Sequence, residues 1–136
     1  MARRSITFGS FVLALAIVCS GASSAPTPGA ALVGHWAGTV TQKGIKPFRL
    51  TLTLSAPVKT HKGRVTLPSG KCVGTIRYTG TKAGRFVFKM TWQKGKCLAG
   101  TASLRSLGKK RLSYRWVGKY ANGAPASSAA TLVRSK

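Results

Sequence analysis

The stretch FRLTLTLS, residues 48–55, alternates without a break: Phe48, Leu50, Leu52 and Leu54 fall on one parity, and Arg49, Thr51, Thr53 and Ser55 on the other. Successive side chains of a strand point to opposite faces, so a period of two describes a strand with one face in a core and one in water. A helix would need its apolar residues three and four apart. Seven further segments read the same way: LVGHWAGTVTQ at 32–42, GRVTL at 63–67, CVGTIRYTG at 72–80, RFVFKMTW at 85–92, CLAGTASLRS at 97–106, RLSYRWVG at 111–118 and ATLVR at 130–134. Gly, Pro and Lys punctuate them, and no helical period of any length intervenes. The sequence therefore predicts an all-β protein, a small antiparallel eight-stranded meander barrel spanning 33–136. Eight strands close a barrel that side chains fill or that holds one small ligand. The many bulky inward residues favour filling. ANGAPASSAA, 121–130, reads as a mobile loop before the last strand.

The amino end has a different character. Arg3 and Arg4 precede the apolar run from Phe11 to Val18, and small residues follow from Cys19 to Ala25. This is the layout of a secretory signal peptide over 1–25. The run is too short for a bilayer-spanning helix, which needs roughly 20 apolar residues. Ala16, Ile17 and Val18 before Cys19 make a poor lipobox, and the arginine pair is a weak hint of twin-arginine export. Residues 26–32 are expected to be a flexible leader, and the protein to be secreted, extracellular or associated with the cell envelope.

Without the leader two cysteines remain, Cys72 and Cys97, in a compartment where disulfides persist, and they are expected to be joined. Two buried free thiols are the alternative. The charge is more unusual. The full chain carries 23 Lys and Arg and no Asp or Glu; without Arg3 and Arg4 the cations number 21. Acid denaturation works mostly by protonating carboxylates that are paired in the native state, and this chain has no such side chain. Its charge should barely change between about pH 3 and 8.

A surface of one sign attracts polyanions. The strand parity turns Arg49, Arg64, Arg85, Lys89 and Arg115 toward solvent, while Phe86, Phe88, Met90, Trp92, Tyr114 and Trp116 face inward. The densest basic runs are KTHKGR, with Lys59, Lys62 and Arg64, and GKKRL, with Lys109, Lys110 and Arg111; Lys94 and Lys96 form a third group. Such runs suit heparin-like chains or nucleic-acid backbones. In a meander, alternate loops fall at opposite ends, so Lys43, Lys46, Lys71, Lys94, Lys96 and Lys119 lie toward one end, and Lys59, Lys62, Lys82, Lys109, Lys110 and Arg111 toward the other. Charge spread in this way favours salt-sensitive attachment over a lock for one ligand.

Composition also excludes chemistries. Without carboxylates there is no acid pair for glycoside hydrolysis, no Ser-His-Asp triad and no calcium site built on acidic side chains. His35 and His61 are the available general bases, and neither can be oriented by a carboxylate; two histidines alone are a poor zinc site once the cysteines are paired. A Ser-Lys pair has no local motif behind it. A non-catalytic, monomeric binding protein without metal or cofactor is expected. Its partners would be anionic polymers or surfaces: cell-wall polyphosphate, acidic glycan or nucleic acid. Action on anionic membranes, and small-molecule binding by the barrel with a sensor role, are the alternatives.

The ordered pieces GHWAGTV, LTLTL, GKCVGTI, KGKCLAGTASL, LSYRWVG and ATLVR resemble the small extracytoplasmic β domain found C-terminal to some actinobacterial serine/threonine protein kinases and also as a secreted single domain. The resemblance covers 34–134 and implies a sensor-like or accessory binding role. Gly34-His35-Trp36 is also similar to the start of lipocalin- and avidin-type barrels, which implies a calycin-like barrel with Arg134 packed on Trp36 as a structural bolt.

Overall fold

The computed structural model describes residues 29–68 and 71–135. The expected signal peptide, 1–25, and residues 26–28 of the expected leader lie outside the described residues. The chain forms a closed eight-stranded antiparallel barrel in strictly sequential order. Its strands are β1 Gly34–Gln42, β2 Ile45–Leu54, β3 Gly63–Leu67, β4 Cys72–Lys82, β5 Arg85–Lys94, β6 Gly100–Ser106, β7 Arg111–Lys119 and β8 Pro125–Ser135. β1 pairs with both β2 and β8, for instance Trp36 with Leu52 on one side and with Arg134 on the other. Closure gives every strand a partner on both sides, although the short β3 meets β2 only at Thr51, Leu52 and Thr53.

The FRLTLTL alternation holds in space: Leu50, Leu52 and Leu54 are buried, whereas Arg49 is exposed. They join Val40, Val65, Ile76, Phe88, Leu104, Leu112 and Leu132 in one core. Two expected boundaries are corrected. The expected loop 121–130 becomes strand from Pro125 onward, with Arg115 paired to Ala129 and Trp116 to Ser128. Small residues hide the alternation from a hydrophobicity reading, yet Ala126, Ser128 and Leu132 all turn inward and are buried. β6 begins at Gly100 rather than Cys97, because residues 97–99 belong to the loop that the disulfide ties down.

The leader also ends earlier than expected. Ala30–Leu32 form one 3-10 turn whose Leu32 is 1 % exposed. This turn plugs the end of the barrel at which β1 begins. The indole Nε1 of Trp36, itself 1 % exposed, donates to the Leu32 carbonyl at 2.8 Å. The Arg134 guanidinium lies 4.3 Å from the centre of the Trp36 ring. Its Nη1 donates to the Val33 carbonyl at 2.7 Å and its Nε to the Lys109 carbonyl at 2.8 Å. The stack thus gains cation-π attraction while the guanidinium satisfies backbone oxygens at the rim. A side chain at Gly34 would collide with Arg134 Nη1, and its φ of 137° suits glycine alone.

Candidate binding site

Among the described residues nothing plugs the opposite end of the barrel. An open cup of about 490 Å³ is walled by apolar side chains, among them Phe48, Leu50, Leu67, Met90, Trp92 and Trp116. Filling, expected from the bulky inward residues, is correct for the half around Trp36 and wrong for this half. The reason is where the two large rings go. A Cβ at Gly118 or at Gly100 would run into the Trp116 indole, so these paired glycines supply the space in which the ring lies along the wall instead of crossing the lumen. Trp92 is fixed by an Nε1 bond to the Leu98 carbonyl at 2.8 Å.

The disulfide shapes the rim. Cys72 opens β4 and Cys97 sits in the β5–β6 loop, with Cα atoms 6.1 Å apart. Their bond holds the loop that brings Cys97 and Leu98 into the lining. Lys46 and Lys96 also border the cup. Polar groups reach into its apolar wall. Tyr114 and Ser128, 3 % and 9 % exposed, line the cup, and among the described residues neither hydroxyl has a hydrogen-bond partner. Gln42 beside them donates to the Tyr120 hydroxyl at 3.2 Å. The Trp116 Nε1 likewise lacks a partner among the described residues. Burial pushes the Tyr114 phenol well above its ordinary pKa, so it stays a neutral donor and acceptor. An apolar cavity with a few convergent polar groups is the usual form of a small-molecule site.

The cations expected to bind polyanions are all exposed, but they do not gather. Lys59, Lys62, Arg64, Lys109, Lys110 and Arg111 stand toward the plugged end, and Lys94 and Lys96 at the open end. Lys59 Nζ lies over the Tyr78 ring at 5.5 Å from its centre. His35 bonds the Thr53 hydroxyl across the β1–β2 pair at 3.0 Å, as a strand residue does, and His61 is exposed in the β2–β3 loop. Among the outward residues one expectation is corrected: Arg85 faces the outer side as its parity requires, yet it is 7 % exposed. It lies down on the outer face of β6 and β7 instead of standing in solvent. Strand parity gives the face of a side chain and not its neighbours, so Arg85 was legible only by direction. No protein-family model matches this chain, and a search of curated proteins finds no match.

Proposed function

We propose that the protein is a secreted, strongly cationic, non-catalytic binding module for anionic polymers or surfaces, such as cell-wall polyphosphate, acidic glycan or nucleic acid. The observation that carries this reading is a barrel with exposed lysines and arginines at both ends and around its wall, in a chain with no acidic side chain to neutralise them. Such an exterior draws polyanions by releasing their counterions, an effect that salt reverses. The mature domain should be retained on heparin and on DNA resins at low ionic strength and be released steeply as salt rises. Passage through every anionic matrix at low ionic strength would overturn the reading, and elution at the same salt from all of them would show attachment by charge alone.

The cup favours a second reading, a small amphipathic ligand. Its apolar part would sit against Met90, Trp92 and Trp116, its hydrogen-bonding group would meet Tyr114 and Ser128, and an anionic group at the mouth would face Lys46 and Lys96. An anilinonaphthalene sulfonate dye is a suitable probe. Saturable binding at one site, with quenching of the tryptophan emission, is expected, and Ser128→Leu should weaken it several-fold by narrowing the cup while leaving heparin retention unchanged. Equal dye binding by both proteins would count against the cup.

A further inference from the structure

We propose that Arg85, Arg105 and Arg115 form a localised site for a doubly charged phosphate group on the outer wall of β5–β7. The inference rests on the polyanion reading above and adds a preferred place and chemistry to it.

Arg85 as a residue is 7 % exposed, and among the described residues every bond of its guanidinium is to a neutral oxygen: Nε to Ser103 Oγ at 3.0 Å, Nη1 to Ser113 Oγ at 3.1 Å, and Nη2 to the carbonyls of Ser103 and Ser113 at 2.9 and 3.2 Å. A guanidinium stays protonated at any ordinary pH. Taking a charge out of water is costly unless a counter-charge accompanies it, and this chain encodes no carboxylate that could.

The neighbours add to the imbalance. Ser103 pairs with Arg115 and Arg105 pairs with Ser113 across the β6–β7 ladder. The four outward residues therefore make a square, with the serines on one diagonal and exposed arginines on the other. Arg85 reaches across from β5 to bond both serines, so its guanidinium lies over one diagonal and between the two arginines of the other. Burial first, then the charges of Arg115 and Arg105, lower its proton affinity below the ordinary arginine value. The folded state thus carries three mutually repelling cations, one of them partly withdrawn from solvent, and a multiply charged anion would relieve both strains at once.

Guanidinium pairs match phosphate oxygens bidentately. A terminal phosphate carries about −1.5 to −2 charges at neutral pH, against −1 for a diester, so three cations select the more highly charged group. Arg105 and Arg115 would grip its oxygens from the solvent side, and Arg85 would supply the fixed positive field beneath. Ser103 and Ser113 hold that field in place and are positioning residues.

Tripolyphosphate is the probe, and dimethyl phosphate the singly charged comparator. In 15N spectra of the whole domain, the Arg85 Nε–H, shielded by Ser103, should shift saturably with tripolyphosphate and little with dimethyl phosphate. Arg105→Gln with Arg115→Gln should weaken tripolyphosphate binding at least tenfold. Arg49→Gln with Arg77→Gln removes the same charge from exposed positions on β2 and β4 and should weaken it less than threefold. All four positions are exposed, so both double variants should fold, and unchanged melting would verify it. Equal weakening by the two pairs, or shifts that never saturate, would overturn the site while leaving heparin retention, and with it the general reading, intact. Loss of heparin retention by the unmodified protein would instead remove the general reading.

Discussion

Trp36→Ala should destabilise the barrel by about 3–5 kcal/mol, the range for emptying a buried aromatic position. At about 4–8 °C per kcal/mol for a domain of this size, that lowers the melting temperature by roughly 12–40 °C. The estimate belongs toward the upper end because the indole has three partners that lose differently. Its Nε1 bond leaves the Leu32 carbonyl unpaired under the plug, the Arg134 guanidinium loses the ring it covers, and Leu52 on the neighbouring strand loses its cross-strand contact. Trp36→Phe keeps a ring under Arg134 and loses the hydrogen bond, so it should be milder. Denaturant unfolding followed by circular dichroism measures both, provided the slope is the same as that of the parent. An alanine variant within a few degrees of the parent would mean that the plugged end does not hold the barrel shut.

Removing the disulfide comes next in size. Cys72 and Cys97 are 25 residues apart, and a closed loop of that length is worth about 3.5 kcal/mol in the chain-entropy picture. Replacing both by alanine should therefore lower the melting temperature by roughly 14–28 °C. The place of the bond makes a further outcome separable from stability. It ties the β5–β6 loop, whose Leu98 carbonyl accepts from Trp92 and whose side chains line the cup. At a temperature where the double variant is still folded, dye binding in the cup should fall several-fold, while heparin retention, which needs only the charges, should stay. Undiminished dye binding would show that the rim keeps its shape without the bond.

Much of this architecture was legible from period and punctuation. Alternation at Phe48–Ser55 and in its seven counterparts gave the strand count and the inward face, and the two cysteines that remain once the expected leader with Cys19 is set aside suggested the pairing. Arg134 on Trp36 could be expected only through a resemblance, since nothing in the local pattern at 130–134 marks that arginine from the others. Other features were out of reach for physical reasons. The start of β8 is written in alanine and serine, whose burial is decided by the narrow space they occupy and not by their hydropathy. Whether the barrel is hollow depends on which way Trp116 leans, and that depends on Gly118 two residues along its own strand and on Gly100 across the ladder, a pairing that no local pattern shows. Arg85 is the sharpest case. Its parity was right, but its burial is set by Ser103 and Ser113, 18 and 28 residues further along.

The closing pair of strands fixes one more property. His35 on β1 lies opposite Ser135 on β8, so the first and last strands enter and leave the barrel side by side at its plugged base, on the far side from the cup. A tether or fusion partner joined directly to the start of β1 or the end of β8 would leave from that base, and the cup would then point away from the attachment. The same proximity lets a short linker splice the two ends together, so the order of the strands along the gene could be rotated with the entrance left unobstructed.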